Sequence, residues 1–94
     1  MKTFRELQRL AREREVEPLP PTDVWDAKEV GKILRRRRKE MGWTQEDAAV
    51  LMGYSTRLIS ELERGRGTVA FETVLRIARN YDVKLILQGG EWHE

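Results

Sequence analysis

Gln45-Glu-Asp-Ala-Ala-Val-Leu-Met-Gly-Tyr-Ser-Thr-Arg-Leu-Ile-Ser-Glu-Leu-Glu-Arg64 reads as two short helices meeting at a glycine-centred turn. Thr44 is placed to cap the first helix through its side-chain oxygen, with Asp47 three residues on as the acidic half of a capping arrangement and Trp43 stapled over Ala48. Met52 closes that helix at Gly53, the residue type that enters the left-handed region without steric cost. Ser55 is a second N-cap, and Leu58, Ile59 and Leu62 recur at helical spacing to give the next helix an apolar face.

Ala49, Gly53, Ile59 and Leu62 fall where a helix-turn-helix needs a small residue, a turn glycine and two core apolars. A small side chain at 49 lets the second helix approach the first, and the second helix then projects its first turn outward. Around this unit, Val30-Gly31-Lys32-Ile33-Leu34 through Arg38, Gly42-Trp43-Thr44-Gln45 and Ser60-Glu61-Leu62-Glu63-Arg64-Gly65 resemble the XRE/Cro-like repressors, the family of the lambdoid phage repressors. The resemblance covers roughly residues 24 to 82. It implies an all-α, lambda-repressor-like bundle that binds double-stranded operator DNA.

Ninety-four residues allow one domain, and with the first twenty or so set aside the remainder is near the lower limit for a single hydrophobic core. A second chain would add to it. The absence of cysteine excludes a disulfide framework and thiolate chemistry, and no apolar stretch approaches the ~20 residues of a membrane span. With no charged start, apolar run and cleavage site at the N-terminus, a cytoplasmic bacterial protein, held at the nucleoid through its operator, is the expectation.

The net charge of +2 says little, but its distribution says more. Residues 24 to 42 carry seven basic side chains (Lys28, Lys32, Arg35, Arg36, Arg37, Arg38, Lys39) against three acidic ones, whereas residues 1 to 23 balance at five against five. Residues 43 to 70 and 71 to 94 each carry three basic against four acidic. The positive field is thus concentrated on one helix, as it would be if that helix bordered a phosphate backbone. A solvated helix face accounts for the same run.

Three divisions follow: a leader and proline-rich spacer over 1–23, a helix-turn-helix domain over 24–88 and a tail over 89–94. Thr3-Phe4-Arg5-Glu6 reads as a capping box, and Phe4, Leu7, Leu10 and Ala11 share one face of a short helix ending near Glu15. About three turns are marginal in water alone, so this helix needs a surface, on its own core or on a foreign partner. Its separation from the core by Pro18-Leu19-Pro20-Pro21 points to a segment that folds into a groove on a partner, in which case removing residues 1 to 21 leaves operator binding nearly intact.

Core helices are expected at about 26 to 41, 45 to 52, 55 to 64 and 71 to 81. Val30, Ile33, Leu34, Arg38 and Met41 mark the inward side of the first, and Phe71, Val74, Leu75, Ala78 and Tyr81 that of the last. Arg37, seven residues after Val30 and three after Leu34, is placed to snorkel over the core edge. Val83-Lys84-Leu85-Ile86-Leu87-Gln88 then switches to a period of two, with Val83, Leu85 and Leu87 on one face and Ile86 in mid-strand. A lone strand leaves its backbone unpaired, so its simplest partner is the same strand of a second subunit, antiparallel across a two-fold axis. A short strand after the last helix, together with Gly-Trp-Thr-Gln and Ser-Glu-Leu-Glu-Arg-Gly, resembles the HipB-like antitoxins. That resemblance implies a homodimeric autorepressor of a toxin-antitoxin operon with a HipA-like kinase toxin as partner; the alternative is a stand-alone phage-type or chromosomal repressor.

The outward first turn after Ser55 makes Thr56, Arg57 and Glu61 the base-edge candidates. Arg57 can bridge guanine N7 and O6, Thr56 can touch a thymine methyl, and Glu61 can accept from cytosine N4 or orient Arg57. The same three positions match the family's base-reading positions. Gln45, at the free N–H groups of a helix start, is a phosphate candidate on physical grounds and by resemblance. Ser55, Ser60, Arg64 and Arg66 complete that set, although Ser55 also serves as a cap. The resemblance further implies a largely buried ion pair between Arg38 and Glu63. Catalysis is not expected: the single histidine, His93, stands in the tail, no histidine or cysteine cluster suits a metal, and no nucleotide-binding glycine loop follows a strand. No cofactor and no membrane partner are therefore expected.

Overall fold

The computed structural model describes residues 2–14, 17–66 and 68–90. It contains α1 (Phe4–Glu13), α2 (Ala27–Glu40), α3 (Gln45–Met52), α4 (Thr56–Glu63) and α5 (Phe71–Asn80). Four of the five starts are fixed by side-chain caps, which satisfy N–H groups that the helix itself cannot. Thr3 accepts from Glu6 N at 3.2 Å, Asp26 from Glu29 N at 2.8 Å, Thr44 from Asp47 N at 3.0 Å and Ser55 from Leu58 N at 3.1 Å. At α3 the Asp47 carboxylate also accepts from Thr44 N at 2.9 Å, completing a capping box. Thr3 makes only the forward half of one. Gly53 ends α3 in the left-handed region, at a φ of 75°.

The core is one cluster. Ile59 and Leu62 of α4 and Ala48, Ala49 and Met52 of α3 meet Leu34 of α2 and Met41 at its C-cap, while Ile77 and Ala78 of α5 and Tyr81 at its C-cap close the bundle. The small side chain at 49 is 3 % exposed, in keeping with close approach of α3 and α4. A second close approach lies between α2 and α4: a Cβ at Gly31 would stand 2.5 Å from the Leu62 carbonyl oxygen and 2.6 Å from that of Glu63. Any larger residue at 31 therefore pushes α2 off the end of α4.

The inward face of α5 differs from the sequence expectation. Phe71 and Leu75 are 66 % and 40 % exposed, whereas Ile77, which the expected stripe omits, is fully buried. The stripe is centred between Val74, Ile77, Ala78 and Tyr81, so Leu75 falls at its edge and Phe71 ahead of the part of the helix that the core covers.

The leader is part of the bundle. Leu7 is 1 % exposed and belongs to the core cluster, with Ala11 packed beside it. Trp43 Nε1 donates to the Leu7 carbonyl at 2.7 Å, and Lys2 Nζ meets the Asp47 carboxylate at 3.0 Å. A foreign groove is thus not what orders α1: Leu7 and Ala11, the centre of its apolar stripe, pack on the core of their own chain, while Phe4 stays 57 % exposed.

The C-terminal segment also corrects the sequence reading. Residues 83–90 have no regular secondary structure, and the described residues contain no β-strand, so this chain is all-α. Val83 is held at its amide, which donates to Ala78 at 2.8 Å, but Leu85, Ile86 and Leu87 are 38 %, 73 % and 98 % exposed. The physical reason is that alternation defines a strand only where a neighbour pairs its N–H and C=O groups, and within this chain no described segment does so. The tail beyond residue 90, with Trp92 and His93, lies outside the described residues.

Candidate nucleic-acid interface

The site is framed by a buried ion pair. Arg38 Nε and Nη2 each donate to a Glu63 carboxylate oxygen at 2.8 Å, a parallel two-bond geometry, and both side chains are almost fully enclosed. The Glu63 hydrogen bonds raise the Arg38 guanidinium above its ordinary value against the opposing effect of burial. Arg38 Nη1 also donates to the Trp43 carbonyl at 2.7 Å, immediately before the Thr44 cap. One arginine therefore ties α2, the end of α4 and the entry to α3 together, fixing the angle between the two helices of the motif.

On that frame, α4 turns its polar face outward. Thr56 and Arg57 are exposed, and Arg57 Nε meets Glu61 Oε1 at 3.1 Å one turn later. Of the two roles open to Glu61, orienting Arg57 is the one whose geometry is already assembled. Arg64 Nη2 donates to Ser60 Oγ at 2.9 Å, which places a cation and a hydroxyl together beyond the recognition turn. Arg66 is exposed in the following loop, its amide bonded to the Glu61 carbonyl at 3.0 Å. Ser55 spends its hydroxyl oxygen on the cap of α4.

Gln45 stands at the first turn of α3, lining with Lys39, Gly42, Thr44, Glu46 and Thr56 a shallow open cleft between the starts of α3 and α4. Its amide nitrogen lies 3.4 Å from Glu63 Oε1, turned toward the buried pair. Two helix N-termini thus open on one cleft, an arrangement whose free N–H groups and dipoles favour an anion. The Asp47 carboxyl of the α3 capping box is pushed up by burial but held below its ordinary value overall by the Thr44 amide and hydroxyl and the Lys2 ammonium.

Two features escaped the sequence reading. Arg37 does not snorkel: at 4 % exposure its guanidinium donates to the backbone carbonyls of Tyr81 at 2.9 Å, Glu17 at 2.6 Å and Asp82 at 3.5 Å. Its position in the Val30, Leu34, Met41 stripe was the available signal. The Lys2 bridge to α3 had none, because it spans 45 residues. Val83, Leu85, Ile86 and Leu87 stand apart from the cleft, on the segment leaving α5. Among the described residues no group of His, Cys, Asp or Glu side chains could hold a metal ion, and no helix is long and apolar enough to cross a membrane.

A helix-turn-helix family model matches residues 34–87. No curated protein matches the sequence. Among solved structures, a HipA-HipB-O2-O3 complex contains a chain similar to this one with a TM-score of 0.67 at 18% identity, over 76% of this chain and 100% of that one. A HipB-O4 20mer complex gives the same TM-score, identity and coverage. At this identity the likeness is one of fold.

Proposed function

Because the chain belongs to the helix-turn-helix family, with more than half its length matched, we propose that it is a sequence-specific DNA-binding transcriptional regulator. The observation that carries the reading is the outward turn of α4, where Arg57 is 87% exposed in its side chain and braced by Glu61 above a rigid Arg38–Glu63 frame. In this reading Thr56, Arg57 and Glu61 meet base edges, and Gln45, Ser60, Arg64 and Arg66 hold the phosphates on either side. Ser55 contributes its cap. The chain acts by binding, with no catalytic step, in the bacterial cytoplasm.

The finer proposal is an antitoxin that represses its own operon as a homodimer and binds a HipA-like kinase toxin. Its support is the shared fold with HipB and the exposed Leu85, Ile86 and Leu87, which as free ends of a monomer would keep three large apolar side chains in water. Paired across a two-fold axis, the same residues become a two-stranded ribbon. Gel mobility shift with the DNA upstream of its own gene tests the first claim, and absence of a shifted band specific to that DNA would defeat it. Co-purification with the product of the neighbouring gene tests the toxin partnership. Sedimentation equilibrium of Ile86→Pro, which loses a mid-strand donor, tests the dimer; an unchanged dimer would exclude strand exchange.

A further inference from the structure

Lys28, Lys32, Arg35, Arg36 and Lys39 are spaced at intervals of four, three, one and three along α2, so they lie on one helix face, and all five are exposed. This face has a defined place beside α4. At its first end Lys28 abuts the loop that follows α4, its Cα 2.5 Å from where a Cβ of Gly65 would stand. In the middle, Arg35 Nε lies 3.9 Å from Glu63 at the end of α4. At the far end Lys39 lines the cleft that holds Gln45 and Thr56, where α4 begins. The row therefore passes from the loop after α4, by its last residue, to the cleft that its first residue also lines.

From this placement we infer a second, sequence-independent phosphate-binding surface on α2, one that takes the sugar-phosphate strand bordering the groove into which α4 projects. The inference rests on the DNA-binding reading above. The span from residue 28 to residue 39 is about 16 Å at 1.5 Å per residue, enough to face several phosphates of a strand that carries one per 3.4 Å of axis. Two of the five cations have intramolecular carboxylates, Arg36 with Glu40 at 3.2 Å and Arg35 with Glu63. Among the described residues, Lys28, Lys32 and Lys39 have no carboxylate within salt-bridge distance, so they meet an external anion without first breaking an ion pair. Lys39, shared between the row and the Gln45 cleft, makes the two surfaces continuous.

The test is the triple variant Lys28→Gln/Lys32→Gln/Lys39→Gln, compared with a charge-matched control, Arg5→Gln/Arg12→Gln/Arg79→Gln, in the full chain. Binding to the DNA upstream of its own gene is measured across salt concentrations from about 50 to about 200 mM. The α2 variant is expected to bind at least about tenfold more weakly, with a log K against log salt slope shallower by about 0.9 for each phosphate no longer neutralised, and with unchanged discrimination against single-base changes. A slope equal to that of the unaltered protein, or an equal flattening in the control, would overturn the inference. Should the unaltered protein discriminate no sequence at all, the base-reading proposal fails on its own, and the slope on any duplex still decides the α2 surface.

Discussion

The indole Nε1 of Trp43 donates to the backbone carbonyl of Leu7 at 2.7 Å, joining the residue before the α3 cap to the middle of the leader helix. The same indole packs against Tyr81 with ring centroids 6.0 Å apart, so the leader, the helix-turn-helix and the last helix share one aromatic centre. Leader and domain are consequently one stability unit.

Leu7→Ala is therefore expected to destabilise the whole protein. Its side chain is 1 % exposed, and truncating a buried leucine costs about 2–5 kcal/mol. Urea unfolding checks this; a change confined to a few tenths of a kcal/mol would mean that α1 undocks without consequence.

Arg38→Met and Glu63→Leu should each cost about 3–5 kcal/mol, because each strands the other's buried charge. The double variant is expected to recover much of that loss while shifting the angle between α3 and α4. Thermal denaturation gives the stabilities, and a double variant as unstable as the sum of the singles would show that the pair has no such coupling.

Arg57→Ala is expected to weaken operator binding by about 1–3 kcal/mol and to relax preference at one base pair per half-site. Gln45→Ala should instead weaken all sequences alike. Titration against cognate and single-base variant duplexes separates the two, and full retained preference in Arg57→Ala would remove that residue from the reading set.

Tyr81→Phe is expected to be neutral or stabilising. The Tyr81 hydroxyl is buried without a hydrogen-bond partner among the described residues, and burial raises its ionisation well above the ordinary phenol value. Removing an unpartnered buried hydroxyl recovers up to about 1 kcal/mol, or about 4–8 °C in Tm for a domain of this size. Calorimetry showing a loss of that size would reveal a hydrogen bond to the hydroxyl.

The motif was legible because its signals are local. Thr44, Gly53 and Ser55 act within three or four residues of themselves, and the helix bounds they set agree with the structure to within a residue or so. Long-range placement was not. Nothing near Lys2 announces Asp47, and the period-two run over 83–88 is silent about whether a neighbour exists to pair it. In the four-arginine run the register with Val30 and Leu34 did single out Arg37, but as a side chain snorkelling over the core edge; three backbone carbonyls hold its guanidinium inside instead. Among the interface residues, exposure and bracing are visible in the fold, whereas contact with a base depends on a molecule outside it.

Arg37 has a further consequence for how the chain comes into being. Two of its three backbone acceptors, the carbonyls of Tyr81 and Asp82, follow it by 44 and 45 residues. During synthesis its set of carbonyl acceptors is complete only when almost the whole chain has emerged. A fragment that stops before Tyr81 leaves the guanidinium with the Glu17 carbonyl and with the Glu40 carboxylate, 3.6 Å away on the same helix, but without its partners beyond α5. The one side chain thus links the spacer before α2 to the segment that leaves α5, one stretch made before the helix-turn-helix and the other after it.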